Sequence, residues 1–150
     1  MDPVTIANEA TLIYDNITKN SNAVVTRILS LYDLTATKEA LLDSYTPGQT
    51  ITYITRVENT GSASLYNLTI VDDLANGTLQ YIDTSIEGYL NGSPIEVDVQ
   101  KTASTVTFKI DNVLNPNDNV LIIFETTTPT TNPEQITNTQ TITANGGSTT

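Results

Sequence analysis

Hydrophobic and polar side chains alternate along much of the chain, most clearly over residues 50–58. There Tyr53 and Val57 fall on one side of the stretch, together with Ile51 and Thr55, and mainly polar residues fall on the other. A period of two is typical of a half-buried β-strand. A Pro-Gly pair precedes the stretch and Asn-Thr-Gly follows it, and both are turn signals. The pattern therefore predicts a strand bounded by turns.

The same alternation recurs along the rest of the chain, and no stretch shows a sustained apolar period of 3.6 with helix caps. Asn91-Gly92, between two predicted strands, is a strong signal for a tight hairpin. The fold class predicted is therefore all-β, an antiparallel β-sandwich. The predicted strands are residues 4–14, 23–31, 34–38, 49–59, 65–72, 85–90, 94–99, 105–110, 120–127 and 136–143, with a polar turn at 15–22.

An internal repeat links the two ends of the chain. Residues 6–13 resemble residues 136–143 at a constant offset of 130, with isoleucine, asparagine and threonine recurring in the same places. A second predicted strand follows the first copy, whereas only a short tail follows the last copy. The sequence thus predicts a sandwich that lacks a closing strand at its C-terminal end and carries a surplus hairpin at its N-terminal end.

Four motifs in order resemble the conserved repeat domain of bacterial and archaeal surface proteins that is catalogued as domain of unknown function 11. They are TPGQTITY at 46–53, VENTG at 57–61, NLTIVDDL at 67–74 and ITNT at 136–139. The resemblance covers roughly residues 32–144. It implies an immunoglobulin-like β-sandwich of the kind used as tandem modules in stalks, adhesins and surface layers. Relative to that pattern the chain starts out of phase, with what looks like the end of a preceding repeat.

We expect residues 1–30 to form an N-terminal strand extension, residues 31–145 the sandwich and residues 146–150 a flexible tail. An open sheet edge is a template for another chain, so the extension could fill the gap of a neighbouring copy and build a head-to-tail homopolymer. Two alternatives stay open: the extension completes its own sandwich, or the chain is an off-phase piece of a longer tandem-repeat adhesin or stalk. The residues expected at the donor interface are Ile6, Asn8, Ala10, Leu12, Tyr14, Val24, Val25 and Ile28.

Composition narrows the function classes. Seventeen acidic residues against six basic ones give a net charge of −11, which argues against nucleic acid and anionic membranes as partners. No apolar run is long enough to insert into a membrane, and the first residues do not read as a signal peptide. The chain has no His or Cys, so we expect no enzyme activity, cofactor or metal site. Trp is absent and only two Arg occur, so no small-molecule ligand is expected. An extracellular position on a cell or spore surface fits best.

Three polar residues, Lys38, Asp72 and Asn138, share the inward-facing parity of apolar neighbours on their strands. Surface domains of the sandwich type implied by the resemblance can form a Lys–Asn isopeptide bond, with a buried carboxyl group shuttling the proton. These residues are the candidates for such a bond, and Asn8, the repeat equivalent of Asn138, is a candidate for a bond between subunits. The alternative is that Lys38 reaches water from a strand end while Asp72 caps a turn.

Overall fold

The computed structural model describes residues 4–8, 11–14, 17–20, 24–28, 31–131 and 135–146. Before residue 31 the description covers the backbone of the strands and the side chain of Thr11 alone. The chain divides into two compact units, residues 1–31 and residues 32–150. We call the first the N-terminal unit and the second the sandwich unit.

The N-terminal unit contains two antiparallel strand pairs. β1 (Val4–Asn8) pairs with β4 (Val24–Ile28), and β2 (Thr11–Tyr14) pairs with β3 (Ile17–Asn20). The prediction of one strand over 4–14 and of a turn over 15–22 was therefore wrong. Two residues, Asp and Asn, separate the paired ends of β2 and β3, and these residue types favour tight hairpin turns. The sequence prediction missed β3, which lies within the segment assigned to the turn.

In the described residues, the sandwich unit has ten strands in two antiparallel sheets, which confirms the predicted fold class. One sheet has the order β10-β9-β13-β6-β5, with β8 also paired to β13, and the other has the order β11-β12-β7-β14. The strands are β5 (Leu34–Ala40), β6 (Thr50–Asn59), β7 (Leu65–Asp72), β8 (Gln80–Tyr81), β9 (Glu87–Leu90), β10 (Ser93–Ile95), β11 (Asp98–Lys101), β12 (Val106–Ile110), β13 (Asn119–Thr127) and β14 (Gln140–Gly146). The only helical segment in the described residues is α1 (Leu74–Gly77), and none there could cross a membrane.

Alternating side chains from both sheets fill the core. On β6, Ile51, Tyr53, Thr55 and Val57 are buried, as the period of two predicted. β13 is central, between β6 and β9, and its buried face alternates along the whole strand. Phe108 of β12 meets Phe124 of β13 with ring centroids 5.0 Å apart, and this contact joins the two sheets. Burial of aromatic side chains is a large source of stability in such cores.

The predicted Asn-Gly hairpin is confirmed between β9 and β10. Leu90 lies opposite Ser93, so only Asn91 and Gly92 connect the strands. Both have positive φ, 49° and 81°, as a tight turn matched to strand twist requires. This turn therefore follows directly from the sequence.

The chain enters and leaves the sandwich at the same end. β5 begins opposite Asn59, where β6 ends, and β14 ends opposite Leu65, where β7 begins. The Tyr32 ring lies directly against Gly146, so that a Cβ on that glycine would clash with the ring carbons. We call this the entry end. β5 ends and β14 begins at the opposite end, which we call the far end.

β14 begins four residues later than predicted, at Gln140 and not at 136. Gln140 lies opposite Asp72, the last residue of β7. Beyond Asp72 the chain leaves the sheet through residues 74–76, which have left-handed backbone with φ of 47°, 52° and 57°. Residues 135–139 therefore have no strand opposite them, and within the described residues they belong to no ladder. Their burial still alternates, with Ile136 and Asn138 half-buried.

Candidate functional site

Three strands bring the predicted polar residues to the far end of the sandwich. Lys38 lies two residues before the end of β5, Asp72 ends β7, and Asn138 precedes β14. The inward face of β5 is less continuous than predicted: Leu34 and Lys38 are half-buried, whereas Ala36 between them is exposed. β5 is an edge strand, and its inner face is therefore covered only in part.

Asp72 is the centre of this group, and its side chain is fully buried. Its Oδ2 atom accepts hydrogen bonds from Lys38 Nζ at 2.7 Å and from Gln140 Nε2 at 2.9 Å. Its Oδ1 atom accepts one from the backbone N–H of Leu74 at 2.9 Å. Asp72 thus caps the turn after β7, as the alternative interpretation expected, and also holds the lysine. A buried carboxyl group with three donors is well satisfied.

Lys38 is held in a largely apolar setting with 15% of its side chain exposed. Its Nζ atom lies 4.7 Å from the centroid of the Tyr53 ring, within the range of a cation–π contact. The pKa of Lys38 is lowered, because the loss of hydration on burial outweighs the attraction of Asp72. Burial therefore makes the neutral, nucleophilic amine more accessible than for a lysine on the surface.

The Asn138 side chain is satisfied on one side only. Its Oδ1 atom accepts a hydrogen bond from the backbone N–H of Ala75 at 3.3 Å. Its Nδ2 atom is buried and has no hydrogen-bond partner among the described residues. Burial is the main reason why the pKa of the neighbouring Tyr53 phenol is raised, and the Asn138 amide acts to lower it. An unpaired buried amide nitrogen is unfavourable by about 1–3 kcal/mol, so this atom points to a function or to a missing partner.

Sequence reasoning missed a second amide in the group, Gln140. Its Nε2 atom shares Asp72 Oδ2 with Lys38, and its Oε1 atom accepts a hydrogen bond from Thr55 Oγ1 at 2.8 Å. Thr55 is fully buried on the inward face of β6. Gln140 shares the parity of Asn138, so the same criterion that selected the asparagine could have found it. The site therefore offers two amides to one buried amine.

A cavity of about 700 Å³ opens at the far end beside these residues. One wall is formed by the end of β5 and the loop after it, and the other by residues 135–138. The exposed apolar side chains of Leu41 and Leu42 lie in that loop, 60% and 40% exposed. The cavity thus separates the first and last parts of the sandwich where neither continues as a strand.

The predicted donor residues fall in the N-terminal unit. Ala10 lies outside the described residues, and for the others the structure describes backbone only. Asn8 lies opposite Val24 in the β1–β4 pair. The donor interface therefore stays a prediction.

Comparison with solved structures shows an immunoglobulin-like sandwich. The chain is similar to the pilus backbone protein RrgB from Streptococcus pneumoniae, with a TM-score of 0.57 and 13% identity over 77% of this chain and 53% of that one. It is also similar to BcpA, the major pilin subunit of Bacillus cereus, with a TM-score of 0.60 and 13% identity over 93% and 43%. A collagen-binding domain from a Staphylococcus aureus adhesin gives 0.50 and 15% over 80% and 89%. The chain thus spans about half the length of each pilin.

No family model and no curated protein matches the chain. The expected membership of domain of unknown function 11 is therefore not shown. At this level of identity the comparisons establish the fold, an immunoglobulin-like sandwich shared with pilin and adhesin domains.

Proposed function

We propose that the protein is a structural subunit of an extracellular fibre on a cell or spore surface, joined head-to-tail when the N-terminal unit adds a strand to a neighbouring sandwich. The observation that supports this proposal is that the two copies of the repeat differ in their strand pairing. The described residues of the first copy lie in β1 and β2 and are all paired, whereas residues 136–138 of the second copy belong to no ladder within the described residues. A segment of strand-forming sequence with a free edge is a template for β-augmentation.

The architecture of the N-terminal unit supports the same proposal. Its strands form two separate two-stranded sheets. A two-stranded pair is marginally stable in water, and three or more strands or a packed face are needed for independent stability. Addition to a larger sheet would therefore stabilise this unit. The pilin and adhesin names of the similar structures agree with a surface fibre.

Electron microscopy and size-exclusion chromatography of the untagged protein test the fibre. We expect filaments for the full chain and a monodisperse monomer after deletion of residues 2–30, with far-UV circular dichroism showing that the deleted form keeps its β-structure. A full chain that stays monomeric over a wide concentration range would overturn the proposal. That outcome would favour the alternative hypothesis, that the protein is a single module of a tandem-repeat adhesin or stalk.

We further propose that Lys38 and Asn138 form an intramolecular isopeptide bond. In this step neutral Lys38 Nζ attacks Asn138 Cγ, a C–N bond forms, and the Cγ–Nδ2 bond breaks. The Asp72 carboxyl group, 2.7 Å from Lys38 Nζ, accepts the proton that the amine loses on attack and passes it to the departing nitrogen, which leaves as ammonia. The unpaired Nδ2 atom and the Ala75 N–H on the carbonyl oxygen favour this amide. The bond would link β5, the first strand of the sandwich, to the segment that precedes β14, its last strand.

Intact-mass spectrometry tests the bond. We expect the purified protein to be lighter than its sequence by one ammonia, and Asn138→Ala to have its full sequence mass. Gln140→Ala is the matched control, because Gln140 contacts the same carboxyl oxygen as Lys38 but has both ends of its amide bonded. A wild-type protein of full sequence mass would remove the proposal. Loss of ammonia that persists in Asn138→Ala and disappears in Gln140→Ala would transfer the bond to the glutamine.

A further inference from the structure

We infer that the strand exchanged between copies is β4 and that it docks on residues 135–138 of a second copy, in the register that the β1–β4 pair already displays. This inference rests on the proposed fibre and names its joint.

The β1–β4 ladder provides the template for the docked state. In that ladder Ile6 lies opposite Thr26, and Asn8 lies opposite Val24. The offset of 130 carries Ile6 onto Ile136 and Asn8 onto Asn138, with the same residue types. A β4 strand that pairs with β1 can therefore pair with its copy, placing Thr26 opposite Ile136 and Val24 opposite Asn138.

The exchange would replace the ladder hydrogen bonds that it breaks. The ladder bonds lost when β4 leaves β1 are replaced by bonds to the acceptor segment, in which Ile136 and Asn138 repeat Ile6 and Asn8. Directly opposite residues of an antiparallel pair share a face. Val24 and Thr26 would therefore face the same side as Asn138 and Ile136, towards the cavity that β5 and its loop border. Val24 and its neighbours would fill a space that is otherwise open.

The donor strand and the acceptor segment are attached at opposite ends of the sandwich. This arrangement favours head-to-tail docking on a second copy over a dimer closed on itself. The chain passes from the N-terminal unit into the sandwich at the entry end, where Tyr32 lies against Gly146. The acceptor segment lies at the far end, beside Asp72. A donor that leaves at one end and an acceptor at the other give a heterologous, head-to-tail contact, and repetition of such a contact yields a filament.

Disulfide trapping tests the joint, because the chain has no cysteine of its own. A Thr137→Cys chain is mixed with a Val25→Cys chain under mild oxidation. Thr137 is exposed and would lie opposite Val25, as Ala7 does in β1. Directly opposite Cα atoms are about 4.5–5.5 Å apart, within disulfide range. We expect a covalent heterodimer on a non-reducing gel.

Two control variants make the test specific. Arg27→Cys is displaced by two residues along β4, a diagonal separation of about 7–8 Å, and should form the dimer at least tenfold less. A chain with both Ala7→Cys and Val25→Cys locks β4 to β1, and should fail to form filaments when oxidised and regain them when reduced.

The outcomes distinguish the β4 joint from a fibre built through another contact, from a self-completed sandwich and from a protein that forms no fibre. Filaments that form while the lock is oxidised would overturn this joint and leave the fibre standing on another contact. A Thr137→Cys/Val25→Cys chain that closes its disulfide as a monomer would show that β4 completes its own sandwich. Wild-type protein that forms no filaments would instead sink the proposed function itself.

Discussion

At the scale of single residues, the far end of the sandwich is organised by one buried carboxyl group. Asp72 binds an amine, an amide and a backbone N–H, and each comes from a different segment. Burying charges is unfavourable unless they are paired, so the pair of Lys38 and Asp72 depends strongly on both members.

In an Asn138→Ala background, which cannot form the isopeptide bond, Lys38→Met should lower the free energy of unfolding by about 3 kcal/mol, because it leaves the buried Asp72 without its cation. Methionine keeps roughly the length of the side chain and removes the charge, including its cation–π contact with Tyr53. Lys101→Met is the matched control: Lys101 pairs with Asp83 in the open, with side chains 53% and 63% exposed, and such pairs contribute about 0–1 kcal/mol. Urea unfolding of the two variants measures the difference. Equal losses would contradict a special role for Lys38.

How far the sequence predicts this site depends on the kind of information needed. Parity placed Lys38, Asp72 and Asn138 on inward faces, because alternation alone decides the side of a strand. It could not show that Asp72 and Gln140 would lie opposite each other, since that depends on the register between β7 and β14. It also could not show that Ala36 stays exposed, because the coverage of an edge strand depends on the opposite sheet.

At the scale of elements, the segment before β14 is fastened by a carboxyl group and not by a ladder. Asp73 accepts hydrogen bonds from the Thr139 hydroxyl at 2.5 Å, from the Thr139 N–H at 3.1 Å and from the Ala75 N–H at 2.9 Å. Burial acts to raise the pKa of Asp73, but these hydrogen bonds outweigh it and the pKa is lowered. The carboxylate thus joins the left-handed turn to the start of β14.

This fastening should respond to acid. A carboxyl group whose pKa is lowered by folding stabilises the protein above its unfolded value of 3.8, and that contribution is lost as the pH falls through the lower, folded value. We expect Asp73→Asn to be less stable than wild type at pH 7, and the gap to narrow below pH 3.8. Thermal unfolding across this range measures it.

Thr139→Val provides the graded comparison for the acid experiment, because it removes the hydroxyl donor and leaves both backbone donors to Asp73. Its loss of stability at pH 7 should lie between those of wild type and Asp73→Asn. A gap between wild type and Asp73→Asn that stays constant from pH 7 to below pH 3.8 would contradict the role given to this carboxylate.

The elements also show which features of the fold could not be predicted from the sequence. Most strands of the sandwich and the Asn-Gly hairpin follow from alternation and turn residues, which are local signals. No strand was predicted at β8, and the strand predicted over 94–99 is divided between β10 and β11, which lie in different sheets. The late start of β14 does not, because Ile136 and Asn138 keep the alternation of a strand although no strand lies opposite them. Their pairing is decided by the left-handed turn on a neighbouring strand. Strand β3 was missed because three of its four residues are polar and the segment was therefore assigned to a turn.

At the scale of the whole molecule, charge opposes association. Each copy carries a net charge of −11, and the repulsion between copies is screened over about 8–10 Å at physiological salt. Assembly should therefore become faster, by several-fold, when NaCl is raised from about 10 to 150 mM, where the screening length falls from roughly 30 Å to 8 Å. Light scattering follows the rate. Sucrose of equal osmolality is the control and should have little effect, whereas slower assembly in NaCl would mean that attraction between opposite charges governs docking.

The shared end at which the chain enters and leaves the sandwich has a mechanical consequence. Tension applied between Tyr32 and Gly146 would separate β5 from β6 and β14 from β7, breaking the ladder hydrogen bonds one after another. A sheet resists force least in this direction. In a fibre joined through β4, the pull instead arrives at the far end and leaves at the entry end, so the strands are loaded along their length and many rungs resist together. A covalent tie between Lys38 and Asn138 would lie where that pull arrives, and would carry it directly from the last strand to the first.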